Sequence, residues 1–387
     1  MGRISTSRSG YRLLTLIWQT EEGDQRIFRR YILSCAGMIS VLYLILLPAS
    51  SLSHQSSAAP TPTPLGRLVE VDGHFMHIYC TGKGSPTVIL EAGAGGFSFD
   101  WSLVQPEIAK FTRVCSYDRA GSAWSELGPN PRTIKQKVYE LHELLKNARV
   151  SGPFLLVGHS AGGFIIRNYQ VKYPDDVVGM VLAECGHEDS LAFLDGKIVR
   201  MRELSKGRPI PEAHSQISES ERTIAPDVLE KLEQALQSMG KPANDPPYDK
   251  LPANIQQVRL WALSQPKHLL ADNNPFEGEE MAAMYADRLK CQSPFGNLPL
   301  IVLHREEGGY QPIPGAITPE QVKQLEVERL AHNQDLVRLS RNSAYIIAKN
   351  SSHEIHLDRP ELVIEAVHQV FEATRHHTSV KRSEVIR

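Results

Sequence analysis

The chain has 387 residues, of which 41% are apolar and 22% charged, the composition of an ordinary globular protein. Its formal charge of −2 provides no basic surface that would hold nucleic acid, so a nucleic-acid partner is excluded. The five cysteines are scattered and lack the close Cys and His pairs of a zinc site, so no metal and no cofactor is predicted. A chain of this length can hold one large α/β domain and a short appendage.

An uncharged apolar run, YILSCAGMISVLYLILL, extends from Tyr31 to Leu47. As a helix it would be about 25 Å long, just enough to span a bilayer. Arginines precede the run, and no Lys or Arg follows it until Arg67, an asymmetry that places the N-terminus in the cytoplasm. We therefore predict a basic cytoplasmic tail at 1–30 and a transmembrane signal anchor at 31–48, with the catalytic domain outside the cytoplasm.

Two other interpretations of this run stay open. It could be a signal sequence that is cleaved after Ala49 or Ala59, which would give a secreted protein, or a buried helix of a soluble protein. The segment that follows is rich in Ser, Thr and Pro and is suited to an extended spacer, so we assign a linker to 49–65. The folded domain is predicted at 66–374 and a polar tail at 375–387.

The folded part begins with RLVEVDGHFMHIYC, whose alternating apolar residues and Asp72-Gly73 predict a β-hairpin. Short apolar runs then recur and alternate with helical stretches at 133–147, 161–173 and 319–339, the last with Thr318 as its N-cap. Apolar strands that alternate with amphipathic helices predict a parallel sheet covered on both faces. The apolar runs are TVILEAG, RVCSYDRAG, PFLLVGHS, VVGMVLAE, LPLIVLHRE and SAYIIAKN.

One interval interrupts this alternation. From about Glu188 to Cys291 the pattern is helical, without a convincing strand, and a structureless loop of that length is improbable. We predict an inserted helical cap at about 188–291. Its large apolar residues either pack the cap onto the sheet or form the roof of an apolar pocket. They are Met201, Trp261, Met281, Met284 and Tyr285.

Gly158-His159-Ser160-Ala161-Gly162 fits the G-x-S-x-G pattern. The motif alone is weak, but here the apolar strand PFLLV enters it and the helix GGFIIRNYQVKY leaves it. A sharp turn between strand and helix strains the backbone at the serine and needs small neighbours, which the glycines supply. The context predicts that Ser160 is a nucleophile exposed above the sheet.

GHSAGG on a strand, turn and helix resembles the α/β-hydrolase superfamily over most of residues 67 to 374, and EAGAGGFSFDW, VCSYDRAG and HEIHLDRPELV are similar to segments of its lipase and esterase-like members. The resemblance implies the α/β-hydrolase fold: a mostly parallel eight-stranded sheet flanked by helices, with an inserted helical cap. Haloalkane dehalogenases and epoxide hydrolases share the fold but carry aspartate where this chain has Ser160. That difference favours serine chemistry.

A serine hydroxyl needs a base to remove its proton, and histidine suits that task at neutral pH. Of the fifteen histidines, His353 is placed best, because it follows the strand AYIIAKN by a short loop and precedes a helix that Pro360 opens. The spacing in SSHEIHLDRPELV also resembles the base-containing segment of the family. His356 is the rival, but it lies nearer the helix, where a packing role is expected.

A carboxylate must orient the imidazole and stabilise its charged form. In the family it usually follows the seventh strand, where this chain reads VLHREEGGY and offers Glu306 and Glu307 without the expected aspartate. Glu184, at the end of VVGMVLAE, is the other candidate, since some members carry their acid after the strand beside that of the nucleophile. We favour Glu184 and keep Glu306 and Glu307 as the alternative.

The negative charge that develops during acyl transfer requires preset N–H donors. The amide of Ala161, directly after the nucleophile, is one predicted donor. Aligning EAGAGG with the His-Gly loop of the family makes the amide of Ala94 the second. Ala92 replaces the usual histidine, which leaves the backbone role intact but removes a side chain that helps to fix the loop.

These features predict a serine hydrolase that cleaves a small-molecule carboxylic ester, with a lipophilic ester favoured by the cap and the anchor. Two alternatives stay open: an amidase or acyltransferase that uses the same triad, and a non-catalytic binding protein on the same scaffold. The fold alone does not name the substrate, because this scaffold hosts many chemistries.

Cys80 and Cys115 fall in segments assigned to the second and fourth strands, which are neighbours in the α/β-hydrolase sheet. They could approach within disulfide range, and an external domain would permit oxidation. Two buried reduced thiols are the alternative.

Overall fold

The computed structural model describes residues 61–194, 197–306 and 317–380. Within them the strands are β1 (Arg67–Val71), β2 (His74–Thr81), β3 (Thr87–Glu91), β4 (Val114–Tyr117), β5 (Phe154–His159), β6 (Val177–Ala183), β7 (Leu191–Leu194), β8 (Lys197–Arg200), β9 (Leu300–Arg305) and β10 (Ser343–Ala348). The α-helices are α1 (Gln105–Ile108), α2 (Ile134–Asn147), α3 (Gly162–Lys172), α4 (Pro226–Met239), α5 (Ala253–Leu263), α6 (Glu277–Lys290), α7 (Pro319–Leu336), α8 (Ile355–Asp358) and α9 (Pro360–His376).

Eight strands form one sheet in the order β1-β2-β4-β3-β5-β6-β9-β10. Strand β2 is antiparallel to both of its neighbours, and the other strands of this sheet after it, β4, β3, β5, β6, β9 and β10, run parallel to one another. The predicted mostly parallel eight-stranded sheet is therefore confirmed. Because the parallel strands end at the same edge, the loops after β3, β5, β6 and β10 meet there.

Helices cover the sheet on both faces, because successive side chains of a strand point in opposite directions. On β5, Leu156 packs in the cluster that contains residues of α2 and α3, whereas Leu155 and Val157 pack in the cluster that contains residues of α1 and α9. Both clusters exclude water, which explains why the central strands are continuous apolar runs rather than alternating ones.

The first hairpin and the capped helix agree with the sequence. Asp72 and Gly73 connect β1 to β2 with positive φ values of 47° and 90°. Thr318 accepts a hydrogen bond from the amide of Gln321 at the start of α7, and the side chain of Gln321 accepts one from the amide of Thr318. Such reciprocal capping satisfies two amides that would otherwise lack a partner.

Cys80 of β2 and Cys115 of β4 occupy paired positions on these antiparallel neighbours, and the two residues form a disulfide. The predicted proximity of the two cysteines is confirmed. The link joins the strand that runs against the rest of the sheet to the parallel strands.

The insertion after β6 contains the helices α4, α5 and α6, as the helical pattern predicts. It also contains β7 and β8, which form an antiparallel two-stranded sheet that the sequence analysis missed. The cap packs onto the domain through an apolar cluster in which Ile255 and Ala262 of the cap meet Phe97, Phe99 and Trp124.

The predicted localisation requires correction. None of the helices in 61–194, 197–306 and 317–380 is long and apolar enough to cross a membrane. On this finding, the prediction of a single-pass membrane protein with a cytoplasmic N-terminus and an external catalytic domain is wrong. The membrane as a partner is not supported. The prediction was based on the hydropathy of a single segment, 31–48, which lies outside the described residues, as do the tail at 1–30 and most of the linker.

Candidate active site

The turn that carries Ser160 connects β5 to α3. Ser160 has a φ of 51°, in the left-handed region that is unfavourable for a residue with a side chain. The turn depends on its glycines: a Cβ on Gly158 would lie 2.8 Å from Cδ1 of Ile166, and one on Gly162 would lie 2.6 Å from the carbonyl oxygen of Ala92. The G-x-S-x-G pattern therefore forms the strained turn that the sequence predicts.

The loop after β10 brings His353 to this serine. Nε2 of His353 is 2.9 Å from Oγ of Ser160, a hydrogen-bonding distance. The backbone of the loop is also tied to the nucleophile strand, because Nε2 of His159 donates to the carbonyl oxygen of His353 at 2.9 Å. The structure thus brings together the serine and the histidine that the sequence selects.

The surroundings of His353 favour its neutral form. Burial of the imidazole lowers the pKa of His353 well below the usual histidine value, and the nearby His159, Arg305 and Arg329 lower it further. A neutral imidazole can accept the proton of the Ser160 hydroxyl, which is the property that a general base needs.

His356, the rival base, is buried three residues further along the chain, in α8. Its ring centroid lies 4.8 Å from that of Trp101 and 4.6 Å from that of His159. The contact with Ser160 is made by His353, and His356 packs behind it. This is the position expected from its place at the entrance of the helix.

The two predicted oxyanion donors lie where the loop after β3 meets the nucleophile turn. Gly162, which follows Ala161, approaches the carbonyl oxygens of Glu91 and Ala92 so closely that a Cβ there would collide with both. Within the described part of the chain, the amides of Ala161 and Ala94 donate no hydrogen bond to another protein group. That these two amides bind the substrate oxygen stays a prediction.

Glu184, the favoured acid, is buried directly after β6. Its carboxylate accepts a hydrogen bond from the amide of Arg305 at 2.6 Å and pairs with Nε of Arg305 at 3.2 Å and Nη1 of Arg329 at 3.4 Å. Burial raises the pKa of Glu184, although the two arginines oppose that effect. Glu184 and His353 are both described, and no hydrogen bond or ion pair joins them.

The alternative acids follow β9. Glu306 is exposed, and its amide donates to the carbonyl oxygen of Ala348 at 3.2 Å. Its own carbonyl oxygen accepts from Nη2 of Arg329 at 3.2 Å. Glu307 lies outside the described residues. The acid of the site stays a prediction, with Glu184 on one side and Glu306 or Glu307 on the other.

A buried polar cluster lies behind the base. His159, Glu354 and His356 place potential metal-ligand atoms within 4.8 Å of one another, and they line a small pocket together with Asp100 and Tyr248. Nε2 of His159 donates to the carbonyl oxygen of His353, so this nitrogen carries a proton and is not available to an ion. Through this hydrogen bond the cluster supports the loop of the base.

Charged residues beneath the loop after β3 form a part of the site that the sequence analysis did not identify. Arg119 stands in VCSYDRAG, but Lys137 lies within a helix and Asp272 within the cap, without a motif around either residue. Asp272 joins the three side chains, because its carboxylate pairs with both Arg119 and Lys137. No local pattern could have revealed the contacts among them, because the three segments meet only in the folded chain.

Comparison with known proteins agrees with this fold. Residues 88–366 match the model of the alpha/beta hydrolase family. The uncharacterized protein YqjL of Bacillus subtilis (strain 168) is 27% identical over 302 residues, which cover 78% of this chain and 90% of that protein.

Two solved structures share the fold at low sequence identity. The enol-lactonase from Burkholderia xenovorans LB400 is 15% identical, with a TM-score of 0.51 over 79% of this chain and 100% of that chain. The epoxide hydrolase CorEH is also 15% identical, with a TM-score of 0.51 over 79% of this chain and 98% of that chain. Since the family model covers most of the sheet and the loops that carry Ser160 and His353, the chain belongs to the alpha/beta hydrolase family.

Proposed function

We propose that this chain is a serine hydrolase that cleaves carboxylic esters through an acyl-enzyme. The observation that carries the proposal is the 2.9 Å contact between Nε2 of His353 and Oγ of Ser160 at a strained turn. A serine held next to a base of lowered pKa has the arrangement that nucleophilic catalysis needs.

In the proposed reaction, Oγ of Ser160 attacks the ester carbonyl carbon while His353 takes the hydroxyl proton. The carbonyl oxygen, now negatively charged, accepts hydrogen bonds from the amides of Ala161 and Ala94. His353 then gives the proton to the leaving alcohol, and an acyl-serine remains. Water, deprotonated by His353, attacks this ester and releases the acid, which restores Ser160.

The orienting acid in this proposal is Glu184, with Glu306 or Glu307 as the alternative. Glu184 is supported by its position, since it is buried at the end of the strand that pairs with β5 and its own φ of 49° turns the chain at that point. Its ion pairs with Arg305 and Arg329 count against it, because they occupy the carboxylate.

The substrate in this proposal is a lipophilic ester. The partly buried side chains of Phe164, Met201 and Met284 pack together with the core next to the nucleophile helix. The ring of Phe164 lies against Gly186, whose amide donates to the carbonyl oxygen of Ser160 at 3.3 Å. An apolar surface so close to the nucleophile suits an apolar acyl chain.

The test uses the purified protein and its Ser160→Ala variant. We expect a fluorophosphonate probe to label the wild type, and p-nitrophenyl esters of medium chain length to be hydrolysed faster than the acetate and faster than matching anilides. Ser160→Ala should lose labelling, and its turnover should fall by roughly four to six orders of magnitude, with an unchanged circular dichroism spectrum.

Other results would point to the alternatives. A protein that is labelled but cleaves anilides better than esters, or transfers its acyl group to an added amine, would be an amidase or acyltransferase. A correctly folded wild type that resists labelling would be a non-catalytic binding protein.

A further inference from the structure

The loop that supplies the predicted second oxyanion donor, residues 92–96, contains three glycines and lacks a bulky side chain that could fix it. Arg119 supplies this support from beneath. Its Nη1 donates to the carbonyl oxygen of Ala92 at 2.8 Å, and its Nη2 donates to the carbonyl oxygen of Gly93 at 2.6 Å. A guanidinium that bridges two successive carbonyl groups restrains both peptide planes.

The contact with Gly93 sets the direction of the donor. The carbonyl group of Gly93 and the N–H group of Ala94 belong to the same planar trans peptide, in which they point in opposite directions. When Arg119 holds the Gly93 oxygen, the Ala94 N–H group must point away from the guanidinium. Restraint of the Gly93–Ala94 peptide therefore sets the direction of the Ala94 N–H group, the predicted oxyanion donor.

The cap contributes a carboxylate to the same loop. Oδ2 of Asp272 accepts from the amide of Gly95 at 2.7 Å, which restrains the next peptide plane, and lies 3.3 Å from Nη2 of Arg119. Its other oxygen pairs with Nζ of Lys137 at 2.7 Å. The side chain of Asp272 is 13% exposed, so solvent screens these interactions little.

The charges in this group are balanced. Glu91 pairs with Nη1 of Arg119 at 2.7 Å, so Arg119 and Lys137 face the carboxylates of Glu91 and Asp272. Burial alone would raise the pKa of Asp272, but the two cations hold it well below the usual aspartate value. Asp272 is thus ionised at neutral pH.

We propose that Asp272 is a positioning residue through which the cap sets the orientation of the Ala94 amide, both directly at Gly95 and through Arg119. This inference rests on the proposed function, because it assigns to the cap a role in the same acyl transfer. Asp272 itself does not touch the substrate. Its effect is on the transition state, since only there does the carbonyl oxygen carry the charge that the amide stabilises.

The experiment compares Asp272→Ala and Asp272→Asn with a matched control, Glu279→Ala. Glu279 is also a buried cap carboxylate with an arginine partner, because it pairs with Nε of Arg208 at 2.8 Å, but it contacts no residue of the loop at 92–96. Control and test variants each remove a buried carboxylate and its ion pairing from the cap, and they differ in the contact with the loop.

Removal of a whole oxyanion donor costs about 100-fold to 1,000-fold in kcat. Because Asp272→Ala displaces the Ala94 donor without removing it, we expect kcat to fall by roughly 10-fold to 100-fold with KM little changed. Asp272→Asn should recover part of the loss, since its amide oxygen can still accept from Gly95. The affinity for a trifluoromethyl ketone, which forms a charged tetrahedral adduct with the serine, should fall in proportion to kcat.

The rate at which a fluorophosphonate probe labels Ser160 is a second measurement, and it does not require ester turnover. The phosphoryl oxygen of the probe needs the same amide donors as the ester carbonyl oxygen. If the wild type hydrolyses no ester, the proposed function is wrong. Slower labelling of Asp272→Ala would in that case still support the inference about Asp272. If Asp272→Ala keeps kcat and the labelling rate within about twofold, or if Glu279→Ala lowers them equally, Asp272 only stabilises the cap and the inference is overturned. Should Asp272→Ala fail to fold, the isosteric Asp272→Asn carries the same comparison.

Discussion

The Ser160–His353 pair and the charged cluster beside it are built in opposite ways. The pair is joined by one hydrogen bond of 2.9 Å, and burial keeps its histidine neutral. The neighbouring cluster, which we call the Glu184 cluster, has two carboxylates and two guanidinium groups in mutual contact: Glu184, Arg305, Glu326 and Arg329. The reacting groups are therefore uncharged, and the fixed charges lie beside them.

This difference follows from what each region must do. A general base has to change its protonation state during the reaction, so its surroundings must keep it neutral until it takes the proton. A buried charge is stable only when it is paired, and in this cluster each guanidinium group pairs with both carboxylates. The two regions are coupled, because Arg305 and Arg329 of the cluster also lower the pKa of His353.

The largest effect should come from breaking the neutral pair. His353→Ala leaves Ser160 without a base, and we expect turnover to fall by roughly four to six orders of magnitude. The control is His356→Ala, which removes a buried neighbour that packs on Trp101 and His159 but leaves the contact with Ser160 intact. That variant should keep turnover within about tenfold of the wild type. If His356→Ala proves the more damaging change, the base is assigned to the wrong histidine.

The second-largest effect should come from replacing the acid. It decides whether the acid is Glu184 or one of the glutamates that follow β9. Glu184→Gln keeps the size of the side chain but cannot stabilise an imidazolium, so we expect turnover to fall by as much as about 10,000-fold if Glu184 orients His353. Glu306→Gln with Glu307→Gln is the competing variant, and the larger fall identifies the acid. Nearly full activity in Glu184→Gln would exclude Glu184.

Glu326→Gln is the matched control for this experiment. Glu326 pairs with Arg305 at 3.3 Å and with Arg329 at 2.9 Å, so its loss disturbs the same two guanidinium groups without removing either candidate acid. A fall in turnover that is equal in Glu184→Gln and Glu326→Gln would show that the cluster acts only through stability.

The sequence predicts the nucleophile turn and the base because each depends on local pattern. G-x-S-x-G between an apolar strand and a helix specifies the turn at Ser160, and the spacing from His353 to Pro360 places the histidine in a loop before a helix. The capped helix α7 and the first hairpin are local in the same sense. In each case, residues close in sequence determine the backbone that positions the side chain.

The features that sequence analysis missed have two different causes. The hairpin β7–β8 does carry a local signal, since Asp195-Gly196 separates two apolar segments in LAFLDGKIVR, but the helical pattern of the surrounding insertion outweighed it. The contact between Gly95 and Asp272 carries no local signal, because 177 residues separate the partners. Ion pairs between distant segments can be found only once the fold is known.

The smallest effect should come from the coupling between the two regions. Arg329 lowers the pKa of His353 by its positive charge and also pairs with Glu184 at 3.4 Å. Arg329→Gln removes that charge and frees part of the Glu184 carboxylate, and both changes favour protonated His353. The folded-state pKa of His353 should therefore rise. Since catalysis needs the neutral imidazole, the acidic limb of the profile of kcat/KM against pH should move to higher pH.

Arg338→Gln is the control for this prediction, because Arg338 is 74% exposed and pairs with Asp335 at 3.5 Å, outside the Glu184 cluster. Its acidic limb should coincide with that of the wild type when kcat/KM is measured from about pH 4 to about pH 9. A limb that moves equally in both variants would reflect the general loss of a positive charge. A limb that stays in place in Arg329→Gln would mean that the charge of Arg329 does not set the protonation of His353, and the proposed coupling through this residue would be wrong.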